Sequence, residues 1–123
     1  TYTAASPYPS VQANGTDYLL TAVKMQDYLS LYESCPEDRI NPYFAPLLAR
    51  NLTNMPETLI LTAEFDPLRD EGEDYGKKLA EAGNYVEVHR IKDALHGFFA
   101  LGLRFFHVQE SFSYMNEFLK REV

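Results

Sequence analysis

The run Thr58-Leu59-Ile60-Leu61-Thr62-Ala63, then the acidic cluster Asp70-Glu71-Gly72-Glu73-Asp74, then Tyr85-Val86-Glu87-Val88-His89-Arg90-Ile91 decide the fold when read together. The first run is short and almost continuously apolar, the pattern of a strand covered on both faces. The acidic cluster has the D-x-x-E form of a capping box and falls where a helix dipole is positive. Glu73 with Lys77 and Asp74 with Lys78 add i,i+4 pairs, and Gly83 supplies a stop, so a helix is predicted over 71–82. Residues Tyr85 to Ile91 read as a second strand. A strand that returns through a helix to another strand is a right-handed βαβ unit of a parallel sheet.

Outward from this unit the pattern is simpler. Towards the C-terminus, Val108, Phe112, Met115 and Leu119 predict a closing amphipathic helix, with Lys120 and Arg121 in its last turn. Towards the N-terminus, Pro36, Pro42, Pro46 and Pro56 break Cys35 to Pro56 into a loop with one short helix near Ala45 to Arg50. Before it, Thr21 offers an N-cap, and Ala22, Met25, Tyr28, Leu29 and Tyr32 share one helical face, giving a helix over 22–33. Residues 1 to 15 show no periodicity and read as an irregular connection. The expected class is α/β, the tail of a doubly wound protein, with residues 1–56 forming connection, helix and loop and 57–123 forming a β-α-β-α unit. In such a fold, ligand chemistry belongs in the loops after the strand ends.

Composition limits the partners. At 123 residues, 46% hydrophobic and 24% charged, the chain suits one globular domain or a piece of one, not a disordered segment. A net charge of −7 without a basic stripe argues against nucleic acid as a partner. No apolar run is long enough to span a bilayer and no basic-then-apolar leader opens the chain, so a cytoplasmic protein is the expectation, although a start at Thr1 is compatible with a removed leader. The single cysteine, Cys35, has no partner for a disulfide or zinc site and reads as a half-buried small residue. No metal or organic cofactor is implied. Two glycosylation patterns, at Asn14 and Asn51, are read as chance matches.

Two clusters fall in the strand-end loops: Glu64-Phe65-Asp66-Pro67-Leu68-Arg69-Asp70 and Asp93-Ala94-Leu95-His96-Gly97-Phe98-Phe99. A carboxylate at one strand end and an imidazole at the next can hydrogen-bond, fixing the tautomer and stabilising the imidazolium that forms when the ring takes a proton from a nucleophile. Asp66 equally suits an Asx-turn before Pro67, and His96 a turn ahead of Gly97. His89 and His107 lie outside such loops and read as surface or packing residues.

The wording of these clusters adds to their spacing. Leu61-Thr62-Ala63-Glu64-Phe65-Asp66-Pro67-Leu68-Arg69-Asp70-Glu71-Gly72 resembles the acid-bearing segment of the hormone-sensitive-lipase family of α/β-hydrolases, and Leu95-His96-Gly97-Phe98-Phe99 resembles its histidine segment. Ala45-Pro46-Leu47-Leu48-Ala49, Leu52 and Met55-Pro56 resemble the lead-in to that strand, and Tyr18-Leu19-Leu20-Thr21 the start of the substrate-side helix. The resemblance implies the C-terminal portion of an α/β-hydrolase fold, incomplete on its own, from an esterase or lipase acting on small carboxylic esters. It implies Asp66 as triad acid and His96 as general base, with residues 16 to 48 near the acyl pocket. Phe98 and Phe99 are candidates for the pocket wall, with core packing the competing role. The turn Lys92-Asp93-Ala94-Leu95 departs from the family, which often has a proline and a glycine there.

The larger departure is an absence. The nucleophile elbow G-x-S-x-G and the H-G-G oxyanion motif do not occur in these residues. Ser6, Ser10, Ser30, Ser34, Ser111 and Ser113 read as surface or capping residues. The expectation is a C-terminal fragment that supplies acid and base, is inactive alone and self-associates by pairing of its open strand edge or by swapping of a helix. The alternative is a non-catalytic ligand-binding or assembly module derived from the same fold.

Overall fold

The computed structural model describes residues 8–121. Its order is α1 (Pro9–Asn14), α2 (Ala22–Tyr32), β1 (Thr58–Phe65), α3 (Arg69–Glu81), β2 (Val86–Leu95) and α4 (Phe106–Leu119), with 3-10 turns at Pro36–Ile40, Pro46–Leu48 and Phe98–Leu101. β1 and β2 pair in parallel, and among the described residues they form a two-stranded sheet. This is the expected α/β arrangement of parallel strands with flanking helices. The outer edges of both strands are therefore unpaired among the described residues.

Register explains how the two strand ends meet. Partners run from Thr58 opposite Val86 to Ala63 opposite Ile91 at an offset of 28 (91 − 63), then Phe65 faces Leu95 at 30 (95 − 65). Two extra residues of β2 are thus accommodated opposite Glu64. Asp93 takes φ 58 at this irregularity. Asp is among the few side chains that tolerate this region, and the Asp93 N–H donates to Glu64 Oε2 at 2.8 Å. Continuing the register by one pair sets His96 opposite Asp66. The unusual turn Lys92 to Leu95 is the sequence of this bulge.

The main core lies between the sheet and α4, where Ala63, Ile91, Ala94, Phe98 and Val108 cluster with Tyr114 packed against them. α4 buries only part of the expected stripe, with Val108 buried and Met115 half-buried. Val108 and Ser111 are buried, whereas Phe112 is 40% and Leu119 79% exposed. Apolar side chains occupy two neighbouring rows of this helix, and only contact with the sheet selects between them. A second cluster of Leu20, Met25 and Leu29, joined by Val11, Phe44 and Leu68, ties α2 to the loop that leaves β1.

α3 starts two residues earlier than expected, and the predicted capping box is not used. Leu68 is the N-cap and makes no side-chain cap bond. Asp70 instead accepts from the Ser10 N–H and from Arg69 Nε, both at 2.8 Å. Glu73 is drawn to the sheet and accepts from Arg90 at 2.7 and 2.8 Å and from Thr62 Oγ1 at 2.9 Å. The ion pairs along the helix become Asp74 with Lys78 and Lys77 with Glu81. At its far end Gly83 takes φ 91, where a glycine is needed, and stops the helix as expected.

The first fifteen residues are not wholly irregular. Pro9 to Asn14 form a short helix with Pro at its first position and Gly15 as C-cap, a pairing that six residues are too few to reveal by periodicity. Residues 1–7 of that expectation, including Ser6, lie outside the described residues. Cys35 is exposed, not half-buried, because it caps the first 3-10 turn at the surface. No helix among the described residues is long and apolar enough to cross a membrane.

Candidate active site

Asp66 is the first residue after β1. Its Oδ1 accepts the Leu68 N–H at 2.8 Å, the Asx-turn that Pro67 favours. The turn leaves Oδ2 free to face the next strand, where His96 Nδ1 lies 2.7 Å away. The turn and the imidazole contact, posed from sequence as competing roles for Asp66, thus use different oxygens of one carboxylate. A carboxylate only accepts, so the pair requires the proton on Nδ1 and leaves the Nε2 lone pair available.

His96 follows β2 directly, and Gly97 after it takes φ 76, turning the chain sharply into the Phe98–Leu101 turn. The carboxylate is sheltered and the imidazole is open: side-chain exposure is 11% for Asp66 and 43% for His96. A buried carboxylate holding a half-exposed imidazole is an orienting arrangement, in which the ring keeps one nitrogen for other chemistry.

Two cavities meet at His96. One of about 540 Å³ is lined by Leu20, Met25, Leu29, Tyr32, Leu47 and Tyr75, among others, with His96 in its wall. It is therefore an apolar, aromatic-rimmed groove between α2 and α3. The other, about 340 Å³, runs along Ile60 to Ala63 of β1 and is closed by Phe98 and Phe99, with Asp66 and His96 also lining it. Phe98 belongs to the core as well, at 7% exposure, while Phe99 is 41% exposed and packs edge-on against Phe112. The other histidines are engaged elsewhere. His89 stacks on Tyr114 at 3.9 Å, and His107 stands edge-on to Phe98.

Two serines read as surface or capping residues are fully buried. Ser111 Oγ donates back to the His107 carbonyl within α4. Ser10 Oγ donates to the Pro67 carbonyl at 2.8 Å and accepts the Asp70 N–H at 3.2 Å. Ser10 and Asn14 therefore touch the segment that carries Asp66, a role without a local signal because the contacts span 50 to 60 positions of sequence. Burial pushes the Asp70 carboxyl up, but the Arg69 guanidinium and the Ser10 N–H outweigh it and hold it low. Among the described residues no group of three His, Cys, Asp or Glu side chains is placed to hold a metal ion.

Comparison with known proteins bears on the fold and the family. Residues 2–100 match a family model described as the alpha/beta hydrolase fold. The chain is 39% identical over 94 residues to ethyl acetate hydrolase of Pseudomonas putida, covering 76% of this chain and 30% of that protein. It is 41% identical over 73 residues to arylesterase of Saccharolobus solfataricus, covering 58% of this chain and 24% of the relative. A solved esterase of Pyrobaculum calidifontis superposes with a TM-score of 0.83 at 34% identity, over 90% of this chain and 37% of that one. The chain thus spans well under half the length of these relatives. The parallel strands, the helices that flank them and the matched residues make this chain a member of the α/β-hydrolase fold family, in its hormone-sensitive-lipase-like branch.

Proposed function

We propose that this chain supplies the acid and base of a serine-type carboxylic ester hydrolase, with the nucleophile and oxyanion hole contributed by residues outside these 123. The observation that carries the reading is the 2.7 Å contact between Asp66 Oδ2 and His96 Nδ1, set at the junction of two largely apolar cavities. In the reaction His96 Nε2 takes the proton of a serine hydroxyl as its oxygen attacks the ester carbonyl. Asp66 holds the ring in the required tautomer and stabilises the imidazolium. The proton then passes to the leaving alcohol, and a water activated by the same nitrogen hydrolyses the acyl-enzyme.

The substrate class follows from the walls of the site. The groove of about 540 Å³ offers apolar and aromatic surface and few charged groups, which suits a short or medium acyl chain or an aryl alcohol. Phe98 and Phe99 are assigned to the wall of the second cavity. An assembly role is the second reading. It is favoured by the edge of β1, unpaired among the described residues, and by exposed side chains such as Leu103 at 66% and Phe106 at 70%, surfaces that self-association would cover.

The test combines this chain with a polypeptide carrying a G-x-S-x-G elbow from the same family and follows hydrolysis of a short-chain aryl ester. His96→Ala should lower kcat on the order of 10⁴-fold, with KM little changed, because the base acts in the chemical step. Near-normal turnover by that variant would sink the assignment. Turnover by the purified chain alone, blocked by a serine reagent, would overturn the proposal that the nucleophile lies elsewhere.

A further inference from the structure

We propose that α1 is a positioning clamp for the acid, with Ser10 and Asn14 fixing the backbone of residues 64–70 so that Asp66 meets His96; this rests on the acid–base reading of that pair. Both side chains are almost fully buried, at 0% and 4% exposure, and both are polar, in a six-residue helix far from the sheet in sequence. Buried polar groups persist where they are bonded, so their partners reveal what they hold.

Those partners are the acid loop and the turn that follows it. Asn14 Nδ2 lies 3.3 Å from the Glu64 carbonyl and 3.4 Å from that of Asp66, one on each side of Phe65. Ser10 Oγ donates to the Pro67 carbonyl and accepts the Asp70 N–H, and the Ser10 N–H donates to Asp70 Oδ2 at 2.8 Å. Two residues thus grip the loop before, at and after Asp66. Arg69 Nη1 adds a bond to the Glu64 carbonyl at 2.8 Å, and Tyr8 OH reaches Asp74 Oδ2 one turn further along α3.

The clamp fits the geometry the site demands. The Asx-turn fixes Asp66 relative to Leu68, but a turn can rotate as a unit about the end of β1. Carbonyls held on both sides of Asp66 remove that rotation. Ser10 and Asn14 bond neither the His96 ring nor the Asp66 carboxylate, so they act through the backbone that carries Asp66 and are positioning residues, not catalytic ones.

The predicted signature is the tautomer of His96, read from its ¹⁵N shifts in the 123-residue chain at a pH where the ring is neutral. Magic-angle spinning on sedimented protein gives the same reading if the chain associates. In the wild type the proton should sit on Nδ1. Asp66→Ala should move the population towards the Nε2–H form that a free imidazole prefers. Asn14→Ala and Ser10→Ala should each shift it in the same direction while helical circular dichroism is retained, and Ser10→Thr, which keeps the hydroxyl, should restore the Nδ1–H signal. Ser111→Ala, an equally buried serine bonded within α4, should leave it unchanged.

His89, stacked on Tyr114, is the internal reference. Equal changes at His89 and His96 would mean general loosening and would refute the clamp. A wild-type tautomer retained in both Ser10→Ala and Asn14→Ala, while Asp66→Ala loses it, would also refute the clamp but leave the acid–base pair standing. No response to Asp66→Ala would defeat the pair itself. Among the described residues Asn14→Ala removes two long hydrogen bonds, so it reports even if Ser10→Ala does not fold.

Discussion

Replacing Gly76 by alanine tests how closely α3 must approach the sheet. A Cβ added there would lie 2.6 Å from Val88 Cγ2 and 3.0 Å from Ile60 Cδ1, with Val86 Cγ1 at 3.6 Å. Carbon atoms in contact settle near 3.5 to 4.0 Å, so the first overlap is about 1 Å. Ile60 can swing its terminal methyl aside. Val88 is stiff at χ1, and only its 39% exposure gives it room to yield. Overpacking of this kind costs roughly 1 to 3 kcal/mol, whereas alanine in a helix interior regains about 1 kcal/mol over glycine. The balance is a net loss of about 1 kcal/mol, or a few degrees in Tm for a chain of this size. Urea unfolding at one fixed protein concentration would measure it, because association would otherwise shift the midpoint. In a Val88→Ala background the clashing methyl is gone, and Gly76→Ala should become neutral or stabilising. A Gly76→Ala variant more stable than the parent, with Val88 in place, would refute the close-approach argument.

Two further outcomes follow from charge and from the open edge. The Arg90 guanidinium, with help from the Thr62 hydroxyl, holds the Glu73 carboxyl below the ordinary glutamate range against the opposing effect of burial. A folded-state pKa that is depressed stabilises above the unfolded value of about 4.3 and is lost as pH falls through the folded one. The stability difference between wild type and Glu73→Gln should therefore be constant near neutrality and shrink below about pH 4.3, in denaturant titrations across the acid range. A difference that stays constant into strong acid would remove the ion pair from the account. The isolated chain should also self-associate through the β1 edge or the exposed face of α4; light scattering that gave the monomer mass of 14.1 kDa over a wide concentration range would contradict this.

By itself the sequence determined most of the elements and singled out the candidate acid and base. A nearly continuous apolar run at Thr58 to Ala63, a stretch from Val86 to Ile91 that carries Val86, Val88 and Ile91 among charged residues, and Gly83 as a stop between them are local signals, and together they fix a βαβ unit. The wording around Asp66 and His96 is local too, so both could be named without coordinates. What the tertiary structure alone decided are matters of contact at long sequence range. The bulge at Asp93 sets the register that puts His96 opposite Asp66, and no periodicity encodes it. The capping box at Asp70 and Glu73 looked complete in sequence, but Ser10 and Arg90, each brought in from another element, bind those carboxylates instead. The sheet decided which row of α4 is buried, taking Ser111 inside and leaving Phe112 and Leu119 exposed. α1 was too short for a periodic signal, and its buried Ser10 and Asn14 acquired their partners only when the chain folded back across the acid loop, because a hydrogen bond between distant residues leaves no pattern in either segment alone.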